Sequence, residues 1–460
     1  MTAEELETLD IAELLSAGDE TSLRLFCAST QPVIIADHIA SLPPEDTRFI
    51  LRHSSPEIRA EVFSHLHPET QLELVDILSR DEMISLFTHL PPDDRADLYK
   101  RLPDERTDAI LPALAQAERE DIRRLTSYEE GTAGSVMTSD YASVPPDLTA
   151  EQSIEYLRTI APDRETIYYA YVVDQERKLM GFVSLKDLIL APRHRKISEI
   201  MHQDVISVAV DADQEKAARK IQKYDLLALP VIDQSEALVG IITHDDAIDV
   251  ITQEQTEDME KLMAIGGSHE AGVYMRTSAW GHFRNRSLWV AGLAVLGLAS
   301  GFIVQNFESF LLQFAIFAAF MPMLADTGGN TGSQSASLVI RALALNEITP
   351  RDAFRVILKE VHVGFYLGIL LALLAFGRVM LMGAGSTIPE DYLLIQIAVA
   401  IAAALGIQVV SATLIGAMLP LVVARFNKDP AVIASPALTT IVDITGLLIY
   451  FYTAQFILSV

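Results

Sequence analysis

One carboxylate near the C-terminus lies in the middle of a long apolar stretch. Asp443 occurs in SPALTTIVDITGLLIYF, far from either end of a segment that is long enough to cross a bilayer. A carboxylate at that depth is costly unless it contacts water, a cation or a polar partner. Thr439 and Thr440 lie at helical spacing from Asp443 and place hydroxyl oxygens on the same face. The pattern predicts either a cation site within the membrane or a protonated, hydrogen-bonded structural Asp.

A second polar segment lies earlier in the same apolar region. PMLADTGGNTGSQSAS, from Pro322 to Ser337, combines paired glycines, amides and hydroxyls. Such residues are tolerated at membrane depth where they line a cavity or let two helices pack closely. Asn330 and Gln334 fall at i, i+4 and therefore share one helical face. Both interpretations, a cation path and a close-packed interface, are open from the sequence.

The oxygen atoms of these two segments suit Mg²⁺. This ion prefers oxygen ligands, often carboxylates, and retains several of its waters. Because one such Asp occurs per chain, we also expect a symmetric homodimer in which two carboxylates meet on the axis. The candidate pore ligands are Asp443, Thr439, Thr440, Asn330 and Gln334.

Charge is distributed unevenly along the chain. The 460 residues are 50% hydrophobic yet carry a formal net charge of −27. Residues 286–460 hold 8 Lys and Arg against 9 Asp and Glu, whereas residues 1–285 hold 27 against 53. An acidic half followed by a nearly neutral apolar half excludes a single globular domain. The lack of a basic region argues against nucleic-acid binding.

The apolar half is predicted to cross a lipid bilayer five times. The second stretch continues through the polar segment to Leu345, so we expect one long span that is bent or broken. Basic residues concentrate on one side of the spans, which places the N-terminus in the cytoplasm and the C-terminus outside. The five stretches lie at about 287–305, 309–325, 361–384, 392–422 and 431–459.

Two further features bear on localisation. The N-terminal MTAEELETLD has no apolar core, so we expect no cleavable signal peptide. The single cysteine, Cys27, excludes a disulfide framework. A multi-pass protein of a bacterial inner membrane is consistent with both.

The acidic half begins with a 12-residue repeat. Proline at 44, 56, 68 and 92 is each time followed by an acidic residue, which is typical of a helix start. A 12-residue period has room for one short helix per repeat, so residues 20–125 are predicted to form an α-superhelix. For most of these acids, interaction with the helix dipole is a sufficient explanation.

A second repeat, of about 60 residues, follows. VVDQERKLMGFVSLKDLI (172–189) aligns with VIDQSEALVGIITHDDAI (231–248), and each copy is predicted to mix helices with strands. The pair resembles tandem CBS domains, which form one α/β module and often bind adenine nucleotides. The nucleotide motif of such domains, Ser or Thr three residues before Asp, corresponds to Ser184 and Asp187, and again to Thr243 and Asp246. ATP binding and a purely structural Asp are both open.

These features together divide the chain. We predict an acidic helical domain at 1–127, tandem CBS domains at 128–250 (about 128–192 and 193–250), a connecting helix at 251–285 and a transmembrane domain at 286–460. The connecting helix, AIDVITQEQTEDMEKLMAIGGSHE, is expected to run to Gly266 and to link the acidic module to the first span.

The whole arrangement resembles the MgtE family of magnesium channels. The motifs that carry the resemblance are MPMLADTGGNTGSQSASLVIRALA in the second span and NKDPAVIASPALTTIVDITGLLIYF in the fifth. The resemblance implies that Asp443 binds Mg²⁺ at the axis of a homodimer and that the connecting helix acts as a plug. It also makes acids outside the membrane into Mg²⁺ sensors: Asp93, Asp97, Asp213, Glu215, Asp225, Asp246, Asp249, Glu257, Asp258 and Asp429.

The resemblance bears on the nucleotide site as well. Lys186 precedes Asp187 where other members can carry Arg, which leaves the contacts of ATP with Ser184, Lys186 and Asp187 open.

The predicted function is therefore Mg²⁺ uptake through a channel that closes when cytosolic Mg²⁺ binds the sensor acids. Two alternatives remain: a membrane-anchored CBS sensor that regulates a partner, and a divalent cation carrier coupled to a second ion. Permeation by Mn²⁺, Co²⁺ or Ni²⁺ is left open. An enzyme is not expected, because the sequence has no P-loop, no His/Cys metal cluster and no nucleophile–base pair.

Overall fold

The computed structural model describes residues 15, 20–267, 274, 277–345, 347–382, 389, 391–426, 428–430 and 435–460. The start of the predicted first domain, residues 268–273 of the connecting segment and residues 431–434 of the fifth-span motif lie outside these ranges. The chain divides into an N-terminal unit that ends at Ile251 and a C-terminal unit that begins at Thr252.

The N-terminal unit opens with short helices whose starts repeat every 12 residues from Pro32 to Asp104, and the sequence predicted this repeat from Pro44 onward. Proline occupies the first turn of five of them, and a Ser79–Glu82 capping box replaces it at another. The helices are α1 (Glu20–Ser29), α2 (Pro32–Ile39), α3 (Pro44–Leu51), α4 (Pro56–Ser64), α5 (Pro68–Ile77), α6 (Arg80–His89), α7 (Pro92–Arg101), α8 (Asp104–Ile110) and α9 (Gln116–Leu125).

These helices pack in two alternating rows, because each contacts the helix after next. Leu23, Phe26, Phe63 and Phe87 lie in the continuous apolar core between the rows. Cys27 is buried in the same core, where burial raises the pKa of its thiol to about 11. The thiol is therefore a packing group rather than a reactive one.

The 60-residue repeat forms two three-stranded sheets. In each sheet the first two strands are parallel and the last two antiparallel. The strands are β1 (Tyr141–Val144), β2 (Thr166–Val173), β3 (Leu179–Ser184), β4 (Val208–Ala209), β5 (Ala228–Ile232) and β6 (Leu238–Thr243). The accompanying helices are α10 (Ala150–Ile160), α11 (Leu185–Leu190), α12 (Ile197–Ile200) and α13 (Gln214–Tyr224).

The two copies are held together because the backbone segment that leads into each copy packs closely against the other copy. A Cβ on Gly181 would lie 2.7 Å from the carbonyl oxygen of His202, and one on Gly240 would lie 2.7 Å from that of Thr138. Each glycine thus makes room for the segment that leads into the other copy. The paired glycines of the repeat reflect this close approach.

Helix α14 (His244–Leu262) begins in the second CBS copy, and its end corrects the prediction of a helix that runs to Gly266. Ala264 has a left-handed φ of 57°. Its amide donates to the carbonyl of Lys261, and the amide of Ile265 donates to that of Glu260. These two bonds form a Schellman motif, which ends the helix before the glycines.

The C-terminal unit is all-helical. Four of its described helices, α15, α18, α19 and α20, are long and apolar enough to cross a membrane. Helix α17 is long as well but carries the polar segment. The elements are α15 (Ala279–Asn306), α16 (Glu308–Gln313), a 3₁₀ segment (Ala315–Phe320), α17 (Met321–Ala344), α18 (Ala353–Met382), α19 (Leu394–Arg425) and α20 (Ser435–Leu458).

The predicted break in the second apolar stretch falls at Phe314, before the polar segment. Residues Pro322 to Ser337 are helical throughout. Helix α19 lies at the centre of the unit and packs against α17, α18 and α20. Helix α15 differs, because none of its residues is buried.

Candidate functional site

Asp443 lies on α20 and faces a cavity within the C-terminal unit. Its Oδ1 is buried and has no hydrogen-bond partner among the described residues. Thr439, one turn earlier, places its Oγ1 3.4 Å from Oγ of Ser333 and so joins α20 to the polar segment of α17. The cavity has a volume of about 240 Å³ and is lined by Ser300, Gly301, Val304, Met321, Leu324, Ala325, Gln408, Asp443, Gly446 and Leu447.

The other predicted pore ligands lie on less enclosed surfaces. Asn330 and Gln334 are exposed, and the amide of Asn330 donates to Oδ1 of Asp326 at 3.1 Å. Thr440 is half-buried. The opposite face of α17 packs tightly, since Gly332 contacts the backbone of α19. The polar segment therefore forms a close helix interface on one face and leaves its two amide side chains exposed on the other.

Two polar side chains of the apolar helices were missed by the sequence reasoning. Gln408 is 1% exposed at the centre of α19, and neither of its amide atoms has a partner among the described residues. Glu360 of α18 is 8% exposed, and its Oε2 lies 2.8 Å from Oγ of Ser335. A glutamine inside IAAALGIQVVSA was a visible signal, whereas Glu360 was masked by neighbouring basic residues.

In the N-terminal unit, acids of three segments lie close together. Burial raises the pKa of Asp93 well above its usual value, and the charge of Asp94 adds to this. Burial, followed by the charge of Asp246, raises the pKa of Asp94 to about 7 and that of Glu165 to about 7. Desolvation raises the pKa of Asp97 as well, although its side chain is 53% exposed. We call Asp93, Asp94, Asp97, Glu165 and Asp246 the acidic cluster; the sequence predicted three of its members and missed Asp94 and Glu165.

The cluster contains one unsatisfied buried oxygen atom but, among the described residues, no complete metal site. Oδ1 of Asp93 is buried without a hydrogen-bond partner among the described residues. Burial raises the pKa of Asp246, and its hydrogen bond from Thr243 offsets this only in part. Throughout the described ranges, no three His, Cys, Asp or Glu side chains converge closely enough to hold one metal ion. A cation would have to draw these carboxylates together.

Three predicted sensor acids have local structural roles. Asp213 caps α13, since its Oδ1 accepts a hydrogen bond of 3.1 Å from the amide of Lys216. Glu215 forms a salt bridge with Arg219 on the same helix. Asp225 ends that helix with a left-handed φ of 51°. The structure does not bring these three side chains to the acidic cluster.

The remaining predicted acids lie on α14 or near α20. Burial and the charge of Asp245 raise the pKa of Asp249. Within the C-terminal unit, Nζ of Lys261 lies 2.6 Å from Oε1 of Glu257 and 3.0 Å from Oδ2 of Asp429. Although burial opposes it, these contacts raise the pKa of Lys261. Asp258 is half-buried beside Glu257.

The candidate nucleotide residues lie at the start of α11. The carboxylate of Asp187 accepts hydrogen bonds from Oγ of Ser184 at 2.6 Å and from Nε2 of His202 at 3.1 Å. Burial acts in the opposite direction, but these bonds hold the pKa of Asp187 below its usual value. Lys186 is exposed.

A cavity of about 100 Å³ lies between the two CBS copies. It is lined by aromatic side chains of the first copy and by apolar residues and Asp204 of the second, a surface on which an adenine ring could stack. The lining residues are Tyr169, Tyr171, Phe182, Asp204, Val205, Ile206, Leu226, Ala228 and Pro230.

Comparison with known proteins agrees with this architecture. Residues 321–453 match the family model of the divalent cation transporter MgtE, residues 30–131 that of the MgtE intracellular N domain, and residues 133–194 and 197–253 that of the CBS domain. The C-terminal unit is thus that of a divalent cation transporter.

Individual relatives narrow the class. The magnesium transporter MgtE of Thermus thermophilus is 41% identical over 74% of this chain and 73% of its own length, and that of Bacillus subtilis is 33% identical over the same shares. The crystal structure of the cytosolic domain of the Mg²⁺ channel MgtE in complex with ATP covers 52% of this chain and 98% of its own, with 37% identity and a TM-score of 0.50. The soluble part of a magnesium transporter matches with 31% identity and a TM-score of 0.51, over 55% and 98%. The chain belongs to the MgtE family of magnesium transporters.

Proposed function

We propose that this chain is a Mg²⁺ channel of the inner membrane that works as a homodimer and is closed by cytosolic Mg²⁺. The observation that carries the proposal is Asp443, a carboxylate that faces a cavity among apolar helices with one oxygen atom unsatisfied. A buried carboxylate without a partner is costly. A hydrated cation, which retains waters and prefers oxygen ligands, would remove that cost.

A dimer with five spans per chain completes the pore. No residue of helix α15 is fully buried, and the face of α17 that carries Asn330 and Gln334 is exposed. A second copy related by a two-fold axis would bring a second Asp443 towards the first and enclose these amides. In this arrangement α17 is the fifth membrane span, in addition to the four described helices that length and hydropathy identify. Basic residues near the ends of α18 and α19 favour a cytoplasmic N-terminus.

Closure follows from the acids outside the membrane. Ionised Asp93, Asp94, Asp246 and Glu165 repel one another, which favours separation of the segments that carry them. Mg²⁺ neutralises this repulsion and binds the compact arrangement more tightly than the separated one. That difference in affinity shifts the equilibrium. We assign α14 as the plug helix that transmits the conformational change to the pore. The predicted sensor acids are the ligands of the regulatory Mg²⁺ ions.

ATP is proposed as a ligand of the CBS domains. The cavity lined by Tyr169 and Phe182 offers stacking surfaces, and a related cytosolic domain was crystallised with ATP. Ser184 and Asp187 lie on the adjoining helix start and would hold the ribose hydroxyls, with Lys186 near the phosphates. Although burial opposes it, hydrogen bonds hold the pKa of Asp187 below its usual value, so the carboxylate stays ionised and can accept those hydrogen bonds.

The decisive experiment is Mg²⁺ flux into liposomes that contain the purified protein alone. We expect rapid Mg²⁺ entry without a Na⁺ or proton gradient, with Co²⁺ and Ca²⁺ as competitors. Absence of flux would favour an accessory sensor, and strict dependence on a second ion would favour a coupled carrier. Flux at the wild-type rate in an Asp443→Ala variant of equal protein content would refute the pore assignment.

A further inference from the structure

The cavity beside Asp443 contains a second polar group that the mechanism above does not use. Gln408 lies at the centre of α19 and is 1% exposed, and its Nε2 and Oε1 are both without partners among the described residues. A buried donor or acceptor that lacks a partner costs free energy, and a leucine of similar size would avoid that cost. The amide therefore needs a ligand that the described residues do not supply.

Two glycines reserve the space around this amide. A Cβ on Gly446 of α20 would lie 3.0 Å from Nε2 of Gln408, and a Cβ on Gly328 of α17 would overlap the same atom. The two glycines come from different helices and converge on one side chain. Alanine at Gly328 would displace the amide and alanine at Gly446 would crowd it, so the absence of a side chain at both positions makes room for Gln408.

The amide and the carboxylate line the same cavity. Gln408 and Asp443 both contribute to the cavity of about 240 Å³ between α15, α17, α19 and α20, and Oδ1 of Asp443 is the third unsatisfied atom there. An amide both donates and accepts hydrogen bonds, whereas an ionised carboxylate only accepts. Waters bound to a divalent cation direct their hydrogen atoms outward and would donate to both groups.

We propose that Gln408 is an outer ligand for the hydrated divalent cation at Asp443. Its Oε1 accepts a hydrogen bond from a water of the cation, and its Nε2 donates through a second water to Oδ1 of Asp443. Recognition then depends on ordered waters, which favours Mg²⁺ because this ion loses its waters reluctantly. The inference rests on the proposed role of Asp443.

The test compares wild type with Gln408→Leu in the liposome flux assay. We expect the half-saturating Mg²⁺ concentration to rise about tenfold, in line with the loss of one charge-assisted hydrogen bond. The preference for Mg²⁺ over Ca²⁺ should fall as well. Hexaamminecobalt(III), whose ammonia ligands donate hydrogen bonds and do not exchange, should inhibit the variant more weakly than wild type. Gln305→Leu, an exposed position at the end of α15, is the matched control and should behave as wild type.

A second variant covers the case in which the leucine variant does not fold. Gln408→Glu keeps the shape, replaces the donating NH₂ group by an accepting oxygen and adds a negative charge beside the cation, so it should lower the half-saturating Mg²⁺ concentration severalfold. Unchanged Mg²⁺ affinity, selectivity and inhibition in a folded variant would overturn the role of Gln408 while leaving that of Asp443 intact. Flux through Asp443→Ala would instead overturn the proposed pore.

Discussion

The carboxylates of the N-terminal unit are crowded, whereas Asp443 in the C-terminal unit has apolar neighbours and one unpartnered amide. In the acidic cluster, burial and mutual repulsion raise the pKa values of Asp94 and Glu165 to about 7. Around Asp443 the described residues supply no second carboxylate and no basic partner. A cluster of carboxylates can bind a divalent ion tightly, which suits a sensor. A single carboxylate per chain binds it weakly enough to release it, which suits a path for ions.

The largest expected effect is a loss of ion flux through the proposed pore. Asp443→Asn keeps the size of the side chain but removes its charge, so we expect Mg²⁺ flux to fall at least 100-fold, a loss of about 3 kcal/mol. Asp97→Asn should leave maximal flux unchanged, because its neighbours in the cluster remain. Flux of purified variants in liposomes measures both. Equal losses in the two variants would remove the proposed distinction.

The next effect concerns the sensor side. Asp93→Asn combined with Asp246→Asn removes two carboxylates whose pKa values are raised by burial. We expect the cytosolic Mg²⁺ concentration that halves channel activity to rise about tenfold or more. Patch recordings with Mg²⁺ on the cytosolic face provide the measurement. The exposed pair Glu105→Gln and Glu176→Gln is the control, and a similar shift there would indicate a general surface-charge effect.

A smaller effect is the pH dependence of the cluster. Because the folded pKa values of Asp94 and Glu165 exceed the unfolded ones, their protonated forms stabilise the fold at low pH. This contribution is lost as the pH rises from about 4 to about 7. Hydrogen exchange of α7 should be measured in the full-length protein without Mg²⁺ and corrected for intrinsic rates. We expect the protection of α7 to fall as the pH rises.

Two comparisons sharpen that experiment. Glu82 is held ionised by Arg48 and Arg52, so its pKa is lowered despite partial burial and α6 should lose protection only in acid below about pH 4. Saturating Mg²⁺ should abolish the loss in α7. Level protection of α7 from pH 4 to 7 without Mg²⁺ would contradict the electrostatic account.

The smallest effect concerns Lys261, whose ammonium group joins Glu257 of α14 to Asp429. These side chains are about one-third exposed, so the interaction contributes about 1 kcal/mol. Lys261→Met should raise hydrogen exchange in residues 252–262 roughly fivefold without Mg²⁺. Lys196→Met, at an exposed lysine of the CBS module, is the control. Unchanged exchange in residues 252–262 would show that the ion pair does not hold this part of α14.

Local signals explain most of what could be predicted. Proline with a following acid marks a helix start through contacts within one turn, so the 12-residue repeat from Pro44 onward could be predicted. The two CBS copies were visible as a repeat because residues 172–189 align with residues 231–248. The end of α14 was placed too late, because a left-handed Ala264 has no distinctive sequence signal.

The sequence by itself determined the division into an acidic half and an apolar half, the two repeats, and the isolated Asp443. It did so because charge, periodicity and hydropathy are properties of neighbouring residues. Only the tertiary structure decided which distant groups meet: Asp94 and Glu165 with Asp246, and Gln408 with Asp443. Their proximity depends on how helices from separate segments pack, and the two glycines that admit Gln408 are separated from it along the chain by 80 and 38 residues. No local pattern encodes that convergence.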